Sequence, residues 1–135
     1  MTKPEGPCQD DEQPEAQDTR LQPFDLEQRT GDFGEAVVQF ARTIARGPVT
    51  SPLISQLVRS ATSVGANYAE ANDAESKKDS RHKIALCRKE SSGTKHWLRM
   101  IVAAEPALKH EACVLWQEAK ELNLIFGAIL RSRGK

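Results

Sequence analysis

Residues 108–129 read LKHEACVLWQEAKELNLIFGAI, and within them Leu108, Ala112, Leu115, Ala119, Leu122, Phe126 and Ile129 recur at alternating steps of four and three. That is the seam of a helix that packs along its whole length. The cations Arg131, Arg133 and Lys135 follow, at the end where the helix dipole favours positive charge. Upstream, Glu105-Pro106 separates this helix from a third, expected from the Ser76–Asp79 region to Ala104, with the stripe Ile84, Cys87, Ser91, Leu98 and Val102. A second helix opens at Ser51-Pro52, read as an N-cap with proline in the first turn. It carries Ile54, Leu57, Val58, Ala61, Gly65 and Tyr68 on one side and runs to about Ala74. In the first helix Phe33, Val37, Phe40 and Ile44 share a face, and Arg46-Gly47-Pro48 is its expected stop. Four amphipathic helices joined by short links predict an all-α protein, an antiparallel up-and-down four-helix bundle.

The chain's 135 residues suit one domain, and its 19 Lys and Arg balance 19 Asp and Glu. The balance is uneven along the chain. Residues 1–23 contain four prolines and six acids against Lys3 and Arg20, a net −4, which leaves +4 for residues 24–135. With Leu21 as its single large aliphatic side chain, residues 1–23 are expected to be a disordered acidic tail ahead of a bundle domain at 24–135. No apolar run approaches the roughly 20 residues that cross a bilayer, and none near the start resembles a secretory leader, so no membrane association is expected. Cys8, Cys87 and Cys113 are too widely spaced for a disulfide framework or a CxxC metal site, which points to a cytoplasmic setting.

Two features exceed what a core requires. In the third helix Leu86, Gly93, Trp97, Met100 and Ala104 form a second line, well round the cylinder from the Ile84–Val102 stripe. Such a line is either a widened core face or a subunit interface, with Leu86, Trp97 and Met100 as its contacts. The same helix is strongly basic: between Lys77 and Ala104 eight cations face only Asp79 and Glu90. Lys77, Arg81, Arg88, Lys95 and Arg99 recur at steps of four, seven, seven and four, hence on one line, which Lys78, Lys89 and His96 widen. A cationic row without interleaved acids suits a phosphate backbone, RNA or DNA; the alternative is a solvated face or an acidic protein partner. No aromatic residue interrupts the row to stack on bases.

The second helix has a polar line, Arg59, Ser63, Asn67 and Glu70, opposite its apolar stripe. Gly65 in its middle costs about 1 kcal/mol against alanine and suggests close approach by another backbone. Nothing points to catalysis or a cofactor. Asp79 and His82 make one DxxH, half of a di-metal constellation, and His110 has no acid three residues before it. Cys87 and Cys113 fall on or near core stripes and read as small apolar fillers. GxSxG, P-loop and HExxH patterns are missing.

The run Leu57–Ala71, LVRSATSVGANYAEA, followed by AESKKD at Ala74–Asp79, resembles the small four-helix bundle proteins encoded in 23S rRNA intervening sequences. Agreement extends to His82-Lys83-Ile84-Ala85-Leu86, Lys89-Glu90, Thr94 and Trp97-Leu98, and covers roughly Phe24 to Arg131. In this resemblance Arg59, Ser63, Gly65, Asn67 and Glu70 are motif residues. It implies an up-down bundle that assembles into a ring, typically a homopentamer. The related accessory variability determinant of diversity-generating retroelements is a basic barrel that works beside a reverse transcriptase and binds nucleic acid. The chain departs from the pattern at Gly93, where an acid is usual, and at His96, where an aromatic residue is usual. The resulting expectation is a non-enzymatic oligomer that binds nucleic acid through the third helix; a protein–protein scaffold or adaptor is the alternative.

Overall fold

The computed structural model describes residues 26–133, so the expected acidic tail and the boundary at residue 24 lie outside the described residues. Four helices follow in order: α1 (Leu26–Arg42), α2 (Thr50–Asn72), α3 (Lys77–Ala104) and α4 (Lys109–Arg133), with a 3₁₀ turn at Pro106–Leu108 before the last. Each packs antiparallel to the next, most closely α2 on α3, and α1 meets α4 to close the bundle at its slackest seam. Among the described residues there are no strands.

The apolar stripes meet in one core. Phe33, Val37 and Phe40 from α1 and Ile44 just beyond its end join Ile54, Leu57, Ala61 and Val64 from α2, and Ile84, Cys87, Leu98 and Ile101 from α3, all buried. From α4 come Ala112, Leu115, Ala119, Leu122 and Phe126. Near its C-terminus the buried position is Leu130, and Ile129 is only half-buried. An ideal helix drifts about 20° per heptad against a strict seven-residue repeat, so the inward position moves on by one. Trp116, absent from the heptad reading, is 2% exposed and belongs to the same core. The tilted ring pair Tyr68–Phe126, 6.3 Å between centroids, ties α2 to α4 through the core.

Helix ends depart from expectation at one link. α1 stops at Arg42, before Gly47, and Thr43 Oγ1 donates to Phe40 O at 2.7 Å. No described glycine has a positive φ, so Gly47 is no left-handed cap. Ser51 is not the N-cap of α2 either. Val49 holds that position in a helical conformation without a side-chain cap, and Ser51 N already donates to Gly47 O at 2.9 Å. The link is closed by Thr50 Oγ1 donating to Ala45 O at 2.7 Å, and the helix opens at Thr50, one residue before Ser51. At α3 the reading holds: Ser76 is extended and its Oγ accepts from Asp79 N at 3.0 Å.

Two glycines behave differently. A Cβ on Gly65 would stand 3.4 Å from Thr30 O, so the expected close approach exists, between α2 and the backbone of α1. Around Gly93 nothing lies within 4 Å of that point. Gly93→Ala is therefore expected to stabilise the folded chain by about 0.5–1 kcal/mol, read from urea unfolding midpoints at unchanged slope.

Candidate nucleic-acid interface

The helical row Lys77, Arg81, Arg88, Lys95 and Arg99 borders α4, and the register between the helices explains what each cation does. Arg81 Nη1 donates to Leu130 O at 2.6 Å. Seven residues on, the backbone carbonyl of Arg88 accepts from Asn123 Nδ2 at 2.8 Å, and the same amide reaches Ser91 Oγ at 3.2 Å. Seven further, Lys95 Nζ stands 5.4 Å over the Trp116 ring. A heptad forward on α3 thus answers a heptad back on α4, as antiparallel packing requires.

The row differs in exposure along its length. Lys77, Arg81, Arg88, Lys89 and Arg99 are exposed; Lys95 is half-buried. Among the described residues the ion pairs are Arg29 with Glu118 and Glu121, Arg59 with Glu90, and Lys83 with Glu70. None uses those five exposed cations, so no described carboxylate neutralises them. Arg81 is partly committed, because its guanidinium fills a backbone acceptor in the last turn of α4, where carbonyls lack helical partners.

α4 contributes cations that the single-helix reading missed. Lys120 Nζ lies 5.7 Å from the Trp116 ring, on the opposite helix from Lys95. Arg131, exposed, reaches toward Arg88 across Gly127: a Cβ on Gly127 would be 3.5 Å from Arg131 Nη1 and 3.9 Å from Arg88 Nε. Glu118 and Glu121 of α4 turn the other way, to Arg29. The basic surface is therefore a two-sided seam rather than one ribbon. The signal was present in the sequence, since Lys120 and Arg131 are eleven apart on α4, but only the register aligns them with α3.

The α2 motif residues face the other flank of α3. Arg59 Nη1 pairs with Glu90 at 3.4 Å, and Glu70 pairs with Lys83. Ser63 Oγ and Asn67 Nδ2 donate to their own helix, at Arg59 O and Ser63 O. Beneath them Thr94 Oγ1 donates to Ser60 Oγ at 3.0 Å inside the seam. The apolar line lies on that outer side: Leu86, Trp97 and Met100 are half-buried, with Trp97 at the core's edge and His96 edge-on to it at 4.8 Å. Cys87 is buried, its thiol 3.5 Å from Val64 O, and burial pushes its pKa up to about 12. That disposition disfavours the thiolate a nucleophile needs. Asp79 and His82 are exposed, and among the described residues no three His, Cys, Asp or Glu side chains converge as a metal site. No helix among the described residues is long and apolar enough to cross a membrane.

A family model described as 23S rRNA-intervening sequence protein matches residues 24–127. Among solved structures, a protein of unknown function from the S23 ribosomal protein family of Bacteroides thetaiotaomicron is similar, with a TM-score of 0.68 and 24% identity. The superposition covers 77% of this chain and 96% of that one. At that identity the likeness establishes fold alone. No curated protein matches the chain.

Proposed function

Since the chain belongs to the 23S rRNA-intervening sequence protein family, we propose that it is a non-enzymatic accessory factor that binds RNA or DNA through the phosphate backbone, as an oligomer. The observation that carries this reading is the basic surface along α3 and its seam with α4, where Lys77, Arg81, Arg88, Lys89 and Arg99 are exposed and have no ion-pair partner among the described residues. From Lys77 to Arg99 the row runs about 33 Å at 1.5 Å per residue, close to one turn of a duplex. Binding is sequence-independent in this reading, because Trp116, the aromatic residue in the seam, is buried under Lys95 and Lys120 and presents no face to a base.

These five cations together with Lys95, six in all, give a slope of log affinity against log salt near −5 on a duplex, at about −0.9 per contact. Titration of the protein into labelled duplex RNA and DNA at two or more salt concentrations measures it. A slope near zero, or no binding at low salt, overturns the proposal in favour of a scaffold whose cations contact an acidic protein. Material that co-purifies, absorbs at 260 nm and is removed by nuclease supports it.

The half-buried Leu86, Trp97 and Met100 support a second element of the reading, a contact between copies of the chain, with a homopentamer as the expected ring. Trp97→Ala is then expected to shift native mass spectra from oligomer to monomer while the circular dichroism of the helices persists, since interface tryptophans commonly carry 2 kcal/mol or more. A reverse transcriptase as protein neighbour belongs to the same proposal and is tested by co-purification.

A further inference from the structure

Two guanidinium groups converge on the point above Gly127, and no carboxylate is in a described ion pair with either. The point a Cβ would occupy there is 3.5 Å from Arg131 Nη1 and 3.9 Å from Arg88 Nε, which puts these two nitrogens within about 7 Å of each other. They come from different helices and neither side chain is in a described ion pair. We propose that Arg88 and Arg131 form a discrete subsite that holds one phosphoryl group between them, above the bare backbone of Gly127.

Three features argue for a built pair rather than two loose surface cations. Asn123 Nδ2 clamps the Arg88 carbonyl at 2.8 Å and fixes where the Arg88 side chain leaves α3. Arg81 Nη1 holds Leu130 O at 2.6 Å, one residue before Arg131, and fixes the end of α4. Gly127 itself is buried between them, so the facing guanidiniums settle on backbone with no side chain to part them. Two like charges held this close repel each other, and an anion relieves that repulsion. A phosphoryl group accepting one charge-assisted bond of about 2.8 Å from each arginine can bridge donors up to about this far apart. Arginine suits the task because its planar fork stays charged and offers paired donors.

The subsite deepens the proposed nucleic-acid reading, which it rests on for its natural ligand, a backbone phosphodiester; a free phosphate or pyrophosphate offers the same chemistry. Two probes separate these sources: inorganic pyrophosphate, followed by the arginine Nε–Hε resonances of the full chain, and a labelled duplex. With pyrophosphate, the Arg88 and Arg131 signals are expected to move together, and Arg88→Gln or Arg131→Gln is expected to abolish the shift of the surviving partner. With duplex, each single substitution is expected to weaken binding about 5- to 10-fold and the double variant hardly further, because both arginines share one phosphate. Lys77→Gln, on the same row but remote from Gly127, is expected to cost about twofold and to leave the pyrophosphate shifts intact.

Both arginines are exposed, so these variants are expected to fold as the parent does. Duplex binding that is indifferent to Arg131→Gln, or losses at the two positions that multiply, overturns the subsite and leaves the basic seam standing. Coupled pyrophosphate shifts without any duplex binding uphold the subsite, and the nucleic-acid reading then fails alone. No coupled shift at millimolar pyrophosphate overturns the subsite as well.

Discussion

Charge reversal of Arg81, Arg88 and Lys95 together, each to Glu, is expected to lower duplex affinity by at least about 100-fold near 0.1 M salt and to flatten the salt slope by about three. Each substitution removes one attraction worth about 1 kcal/mol at contact in high dielectric and adds a repulsion of similar size, and 1.4 kcal/mol is a factor of ten. Two of the three side chains also serve the fold. Arg81 donates to Leu130 O, and Lys95 rests over Trp116, so this variant tests surface and seam at once. The companion variant Lys77→Glu, Lys89→Glu, Arg99→Glu removes that ambiguity, because no described hydrogen bond or ion pair uses those side chains. It is expected to weaken binding comparably while leaving the melting temperature within a few degrees of the parent. If both triple variants bind as the parent does, the α3–α4 seam is not the nucleic-acid surface.

The difference between those variants shows what a single helix discloses and what it conceals. Periodicity identifies which residues share a line, and for Ile84, Cys87 and Leu98, or for Ala112, Ala119 and Leu122, a line of apolar residues has one physical outcome, burial. The basic row was equally legible as a row. Its surroundings were not, because they depend on register between helices, a non-local quantity that no spacing within α3 encodes. Hence Lys95 turned out to be half-buried against α4, and Lys120 and Arg131 entered the site from a helix whose own pattern marked them only as surface. Trp116 escaped for a related reason: it stands one residue off the heptad, and a bulky ring flanking a seam is buried only if the adjacent helix supplies the cover. The misplaced stop at Gly47 is local. A Gly-Pro pair marks a break, but Thr43 and Thr50 bonded to nearby carbonyls had already ended one helix and begun winding the next. The polar line on α2 carried a signal for its role, since Arg59 and Glu70 have opposite charge to Glu90 and Lys83, but the pairing needed the antiparallel register of α2 on α3.

Arg29→Ala is expected to be the most destabilising single change outside the core, at about 2–4 kcal/mol, or roughly 10–20 °C in melting temperature for a domain of this size. α1 meets α4 along the weakest seam of the bundle, beside an open groove lined by Ala36, Phe40, Leu108, Val114 and Leu115. Across that seam Arg29 Nε and Nη2 donate to both oxygens of Glu118 at 2.6 and 2.8 Å, and Nη2 also reaches Glu121 Oε1 at 2.7 Å. Burial alone lowers the affinity of the guanidinium for its proton, but the two carboxylates outweigh it and the pKa ends above its ordinary value. The Arg29 side chain is 10% exposed against 27% for Glu118 and 14% for Glu121, so its loss leaves two carboxylates facing each other with little water to screen them. Because Glu118 keeps some solvent, the expected cost sits below the upper end for a fully buried pair. The mechanism makes a second, sharper claim. If unpaired negative charge is what destabilises, then Arg29→Met with Glu118→Gln and Glu121→Gln recovers most of the loss, since replacing a whole ionic cluster by neutral side chains is often nearly neutral. Urea unfolding of the three proteins decides it, and amide exchange of α1 reports whether that helix opens first. A loss below about 1 kcal/mol for Arg29→Ala would mean that apolar contacts alone hold α1, and failure of the triple variant to recover would mean that unpaired carboxylate charge is not what destabilises the Arg29→Ala chain.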